Sequence, residues 1–198
     1  PAHASEDLDR PMLILYSIPI GLLAGWLLGG RIERVGAIRF RLAPLAVAVL
    51  LLQLALFSPL SDGLPEVVAR WIYVVSTGLV VVVVVANLAL PGLPLVVLGA
   101  ASNLSAIVAN GGAMPASATA LAAVGLGVGG NTNSVLLERP ILEPLTDIFA
   151  TPRWLPLANV FSIGDVLIGA GVVMAILVTM RRRPALDGLE REHSVKSA

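Results

Sequence analysis

The sequence contains 67 consecutive residues, from Trp71 to Leu137, without a single Asp, Glu, Lys or Arg. Two further charge-free stretches run from Pro11 to Gly30 and from Leu42 to Ser61. A transmembrane helix needs about 20 consecutive apolar residues to cross the hydrocarbon core of a bilayer. Charged residues make up only 13% of the chain, whereas soluble domains carry about 25%. The sequence therefore predicts an all-α integral membrane protein with several spans.

Apolar runs separated by turn signals predict five transmembrane helices. They cover about residues 12–28, 42–60, 67–90, 95–109 and 163–180. The fourth helix is followed by Asn110-Gly111-Gly112, a favourable sequence for a helix C-terminus. Residues 114–130 are also free of charge, but they are short and rich in glycine. We predict that this segment is re-entrant or interfacial and does not form a sixth crossing.

The distribution of arginines predicts the domain organisation and the orientation. The first loop carries Arg31, Arg34, Arg39 and Arg41, and residues 181–183 are all arginine. Basic loops stay in the cytoplasm, and with five spans both groups lie on that side, so the N-terminus is outside. We expect a polar tail over residues 1–11, one helical membrane domain over 12–180 with an outer segment at about 110–162, and a cytoplasmic tail over 181–198.

The outer part of the membrane domain contains an unusually long loop, from residue 131 to residue 159. Within it, residues 141–149 are amphipathic enough to lie on a membrane surface. Three tryptophans, Trp26, Trp71 and Trp154, lie near the ends of predicted spans. That position is typical of interfacial anchors.

Asp165 is the acidic residue nearest to the interior of a predicted span. The spacing of Ser162 and Asp165 is that of a capping box, with serine at the N-cap and an acid at the third helical position. We favour this structural role. A binding or proton-handling role and a salt bridge to Arg139 or Arg153 are the alternatives.

Asn103 and Asn110 lie seven residues apart on the fourth predicted helix and therefore share one face. Small residues and amides on one face are typical of packing between membrane helices. We predict Gln53 as the hydrogen-bond partner of Asn103, and we expect Asn87 to cap the third span.

The inventory of side chains excludes several classes of function. The chain has no cysteine, its histidines are His3 and His193, and its one lysine is Lys196. The predicted spans therefore offer no ligand for haem, a chlorophyll magnesium or a thiolate metal site, and no lysine for retinal. We predict no cofactor, no metal and no catalytic residue. A formal net charge of zero gives no indication of nucleic-acid binding.

Two sequence motifs resemble those of a family of small bacterial membrane proteins that is known as a domain of unknown function. They are Asn-Gly-Gly-x-Met-Pro at residues 110–115 and Ser-Ile-Gly-Asp at residues 162–165. The resemblance implies a multi-pass protein of the bacterial cytoplasmic membrane. It also implies a shared site, to which we add Asn103 from the residues themselves. The implied residues are Asn110, Gly111, Gly112, Met114, Pro115, Ser162, Gly164 and Asp165.

Three functions remain open on the sequence alone. The first is a non-catalytic accessory or scaffold subunit, whose partners are the bilayer and other membrane subunits. The second is binding or transport of a small molecule or lipid at an outer-leaflet pocket near Asn110 and Asp165. The third is an enzyme acting on lipid headgroups, which needs Asp165, Asp147 and Glu143 to converge with an arginine. We favour the first.

Overall fold

The computed structural model describes residues 12–61, 63–125, 134–156 and 158–182, and these residues are mostly helical. The six α-helices are α1 (Met12–Leu27), α2 (Ala43–Leu56), α3 (Glu66–Ala86), α4 (Leu93–Ala109), α5 (Ala118–Val124) and α6 (Ile163–Arg181). Three 3-10 helices cover Ile32–Ala37, Pro59–Ser61 and Glu143–Leu145. Four strands of two residues each are β1 (Met114–Pro115), β2 (Ser134–Val135), β3 (Phe149–Ala150) and β4 (Val160–Phe161).

The five long helices coincide with the five predicted apolar runs, and their ends have local causes. Helix α3 ends at Ala86, before the predicted residue 90, because the Asn87 side chain donates to the Val83 carbonyl and to the Arg41 carbonyl. Helix α4 ends at Ala109, as the sequence predicts, and Asn110 is its C-cap. There Gly112, with a φ of 90°, donates its backbone N–H to the Ile107 carbonyl at 2.8 Å.

The long helices form an open row in the order α1, α6, α4, α3 and α2, as judged by their principal contacts. Helix α6 lies between α1 and α4. Its direction is parallel to α1, since Ser17 faces Gly169 and Gly25 faces Met180. The first and last helices of the row, α1 and α2, each have one principal helical neighbour.

Glycines bring the backbones of α4 and α6 into direct contact at two levels. A Cβ atom at Gly171 would lie 2.6 Å from the Gly92 carbonyl oxygen, and one at Gly164 would lie 2.8 Å from the Gly99 carbonyl oxygen. No real Cβ atom tolerates such distances. Small residues at these four positions therefore set the spacing of the two helices, as they do in membrane helix pairs.

Among the described residues, α3 and α6 are the two helices long and apolar enough to cross a membrane. Only 17% of the apolar window of α3 and 22% of that of α6 are buried, whereas the core helix of a soluble protein is mostly buried. Helices α1, α2 and α4 are apolar but have 16, 14 and 17 residues.

Residues 110–162, which we term the connecting segment, fold beyond the end of α4. Strand β1 pairs in parallel with β2, and β3 pairs antiparallel with β4. Residues 126–130 of the predicted re-entrant segment lie outside the described residues. The described helix of this segment, α5, has seven residues and is about 10 Å long, which is too short to cross a bilayer. The predicted amphipathic stretch 141–149 is helical only at Glu143–Leu145.

Candidate functional site

Asn103, Ser162 and Asp165 form a polar cluster where the first turn of α6 meets α4. Ser162 is fully buried and forms a capping box with Asp165. The Ser162 backbone N–H donates to Asp165 Oδ2 at 2.9 Å, and the Asp165 N–H donates to Ser162 Oγ at 3.1 Å. Asn103 Nδ2 donates to Asp165 Oδ1 at 2.9 Å. Both carboxylate oxygens of Asp165 therefore accept hydrogen bonds.

The hydroxyl of Ser162 connects the two halves of this cluster. It lies 2.9 Å from Asn103 Oδ1 and 3.0 Å from Asp165 Oδ2. Because a hydroxyl has one proton, it donates to one of these two oxygens at a time. Gly164 makes the approach possible, because a Cβ atom there would lie 2.7 Å from Asn103 Cγ. The cluster therefore holds a helix start against its neighbour by direct side-chain contacts.

The capping box predicted for Ser162 and Asp165 is confirmed. The predicted pairing of Gln53 with Asn103 is wrong, and the alternative of a salt bridge at Asp165 is not found among the described residues. Gln53 does not bind Asn103, because it lies on α2 and donates to Ser76 Oγ of α3 at 3.1 Å. Asp165 forms no salt bridge with Arg153, because the guanidinium of Arg153 donates to the Ala122 and Ala123 carbonyls at the end of α5. Among the described residues, Asp165 forms no salt bridge with Arg139 either.

Asn110 belongs to a separate arrangement. Its amide accepts from the Ile141 N–H and donates to the Ile141 carbonyl, both at 2.8 Å. Asn87 binds the backbone of Arg41 in the same two-bond manner, at 2.7 and 2.9 Å. Each asparagine ends a helix and holds a distant loop against it. Asn103 and Asn110 share one face of α4 but form separate contacts, with Asp165 and Ile141 respectively, and do not form one site.

The remaining predicted residues have structural positions in the connecting segment. Met114 is buried with Ala106 and Ile107 in a small apolar core. Pro115 is fully buried, and its carbonyl accepts from the Asp147 backbone N–H at 3.0 Å. The Asp147 carbonyl accepts from the Ser117 N–H at the same distance. Asp147 thus links the two halves of the connecting segment through its backbone.

Sequence reasoning missed a cavity of about 240 Å³ between the start of α3 and the end of α4. Its wall is largely apolar and includes Arg70, whose guanidinium forms a salt bridge with Glu66. Gly111 and Gly112 belong to the wall, but Asp165 does not. The spacing of four residues between Glu66 and Arg70 was the available signal, since it predicts a pair on one helix face. The full lining is Val67, Arg70, Trp71, Val74, Val108, Gly111 and Gly112.

A second cavity, of about 270 Å³, lies within the connecting segment. Ser117, Glu138 and Glu143 are among its lining residues. The Ser117 hydroxyl is engaged with the Thr119 hydroxyl at 2.6 Å. The wall of this cavity has a larger polar share than the wall of the cavity beside Arg70.

The fold and the site together define a mostly helical protein with two candidate membrane spans, whose central polar cluster joins two helices. The model of the family of unknown function DUF5317 matches residues 37–177, and the chain belongs to this family. The match includes every residue of the predicted site and α2 to α5 in full, and it begins after α1. Searches among curated proteins and among solved structures give no match.

Proposed function

We propose that this protein is a multi-pass integral membrane protein with five spans, an outer N-terminus and a cytoplasmic C-terminus, located in a bacterial cytoplasmic membrane. Exposure of apolar side chains supports the proposal. Leu51 on α2 and Val82 on α3 are 59% and 53% exposed, and water would disfavour such surfaces at about 25 cal/mol per Å². Trp26, Trp71 and Trp154 are 65–80% exposed, which suits anchors in the interface.

The arrangement of the helix ends supports the same topology. The Arg31 backbone N–H donates to the Met180 carbonyl at 2.9 Å, so the first basic loop and the end of α6 lie at one end of the row. The connecting segment lies at the other end, beyond α4. Because α4 ends and α6 begins at the same end of the row, the segment between them crosses the membrane an even number of times. The shortness of α5 favours no crossing.

Within the membrane, we propose that the protein acts as a non-catalytic accessory or scaffold subunit. The observation that carries this proposal is the open row, in which α2 has one principal helical neighbour. Val49, Gln53 and Leu56 face α3, which leaves the opposite face of α2 to lipid or to another protein. Four amide or carboxylate side chains of the row already form hydrogen bonds within the chain. They are those of Gln53, Asn87, Asn103 and Asp165.

A photoreactive amino acid in place of Leu51 tests association at α2. The same substitution at Val82 is the control, because Val82 is similarly exposed but lies on α3, inside the row. We expect discrete protein adducts at position 51 and only lipid adducts at position 82 in native membranes. Lipid adducts alone at both positions would contradict the accessory role.

The alternative function is binding of a lipid at the cavity beside Arg70. Its apolar wall suits an acyl chain, and the ion pair of Arg70 and Glu66 suits a zwitterionic headgroup, with the phosphate beside the guanidinium. Native mass spectrometry of the purified protein would reveal a retained phospholipid. Val108→Trp fills the cavity and should release it, whereas Val82→Trp should not. Equal retention in both variants would argue against this cavity.

A further inference from the structure

Six arginines from two distant parts of the chain meet at one end of the helix row. Arg31, Arg34, Arg39 and Arg41 lie between α1 and α2, and Arg181 and Arg182 lie at the end of α6. We term these six residues the basic end. All but Arg34 are exposed. The loop between α1 and α2 and the end of α6 therefore combine their arginines on one surface.

Specific contacts hold the loop of the basic end in place. The Met180 carbonyl accepts both from the Arg31 N–H and from Arg34 Nη1, each at 2.9 Å. Gly30 packs so closely that a Cβ atom there would lie 2.7 Å from Met180 Cβ. On the other side, the buried Asn87 side chain binds the Arg41 backbone. Because the loop is fixed to both α6 and α3, the backbone positions of its arginines are fixed as well.

Acidic residues compensate little of this charge. Glu33 is the one carboxylate within residues 31–41, and none of the six arginines forms a salt bridge among the described residues. Residues 183–198 carry three basic and three acidic side chains, so their formal charge is zero. The basic end therefore keeps a formal charge of +5 from its six arginines and Glu33.

Large apolar side chains alternate with these arginines. Ile32, Phe40 and Leu42 are 56%, 37% and 46% exposed, and they are the sequence neighbours of Arg31, Arg39 and Arg41. A surface that binds nucleic acid or an acidic protein through water does not need exposed apolar side chains between its cations. Such alternation instead suits the boundary between acyl chains and headgroups.

We propose that the basic end is a binding surface for anionic phospholipids, whose phosphodiesters are held by pairs of these arginines. A guanidinium offers two parallel N–H donors to a phosphate, and basic residues next to membrane helices each contribute about 1 kcal/mol to attraction by anionic lipid. This inference rests on the proposed membrane integration, which it extends by naming the lipid class that the protein selects.

The test uses the purified full-length chain in a non-ionic detergent, with phosphatidylglycerol or phosphatidylcholine added, and native mass spectrometry to count bound lipids. We expect phosphatidylglycerol to bind at least tenfold more tightly, and this preference to weaken in 0.5 M salt, as screening requires. Replacing Arg39, Arg41, Arg181 and Arg182 by Gln should reduce the preference at least fivefold. These substitutions spare Arg31 and Arg34, which contact Met180.

Two control variants accompany this test. Replacing the same four arginines by Lys keeps the charge and should retain most of the preference, while Arg139→Gln in the connecting segment should leave it unchanged. Equal binding of the two lipids by the unaltered protein, or an unchanged preference in the four-Gln variant, would overturn the proposal. Tighter binding of a single-stranded oligonucleotide than of phosphatidylglycerol would overturn it as well. Release of the protein from membranes by alkaline carbonate would instead contradict the proposed function.

Discussion

Asn103, in the middle of α4, donates its amide to Asp165, in the first turn of α6, over 2.9 Å. The same carboxylate accepts the Ser162 N–H, which has no partner within the helix that it begins. One acidic side chain thus completes the start of α6 and joins that helix to its neighbour. Asp165 therefore has a sufficient structural reason to be present at the start of an apolar run.

We predict that Asp165→Ala lowers the free energy of unfolding by about 2 kcal/mol. Loss of a helix cap costs about 0.5–2 kcal/mol, and the amide of Asn103 loses its acceptor in a half-buried site. Asp165→Asn keeps one oxygen and should cost about 1 kcal/mol. Unfolding in detergent by increasing SDS, followed by circular dichroism, measures both values.

A substitution in another hydrogen bond between helices is the control for this prediction. Ser76→Ala removes the hydroxyl that Gln53 contacts between α2 and α3. Hydrogen bonds between membrane helices contribute about 0.6 kcal/mol on average, so this variant should be affected less than Asp165→Ala. If Asp165→Ala is as stable as the unaltered protein, the cluster does not hold α6 to α4.

Gly99 should be intolerant of any side chain. A Cβ atom there would lie 2.8 Å from Ile168 Cγ1 and 2.9 Å from the Ile168 backbone nitrogen, and it would overlap the Gly164 carbonyl. Because backbone atoms cannot move aside cheaply, Gly99→Ala should lower the free energy of unfolding by about 2–3 kcal/mol. The same SDS titration measures it.

Gly78→Ala is the control for this prediction, because a Cβ atom at Gly78 has no heavy atom within 4 Å. Alanine is the better helix former by about 1 kcal/mol, so this variant should be as stable as the unaltered protein or more so. Equal losses at the two positions would show that the α4–α6 contact is not as close as described.

The sequence was sufficient to locate the five long helices, because a long apolar run permits little else. It also predicted the capping box, since Ser162 and Asp165 interact over three residues of the same chain. It was not sufficient for contacts between helices. The sequence places Gln53 and Asn103 at a similar depth on their helices, but the order of helices in the row places α3 between α2 and α4.

The split between Asn103 and Asn110 has a similar cause. Helical periodicity places both on one face of α4, but it does not reveal where the neighbouring helix begins. Because α6 starts at Ile163, beside Asn103, the side chain of Asn110 extends past it and meets Ile141. The short strands of the connecting segment were equally hidden, since two residues are too few to show an alternating pattern.

Asn87 gives a prediction for the opposite end of the row. The residue is 2% exposed, donates to the Val83 and Arg41 carbonyls, and accepts from the Arg41 N–H. Asn87→Ala should cost about 2 kcal/mol. Asn87→Asp should cost more, because its carboxylate would face two carbonyl oxygens. A smaller loss for Asp than for Ala, measured by the same unfolding titration, would contradict this hydrogen-bond assignment.

The absence of cysteine from the chain makes the proposed orientation directly measurable. Gly36 and Gly63 are exposed, and a Cβ atom at either has no heavy atom within 4 Å, so cysteine should fit without strain. A membrane-impermeant maleimide applied to intact cells from which the outer barrier has been removed should label Gly63→Cys. Gly36→Cys and Arg182→Cys should react only after permeabilisation. The contact between Arg31 and Met180 requires the last two to share a side. Labelling of Arg182→Cys alone in intact cells would therefore contradict both the five-span topology and the described packing of the first loop against α6.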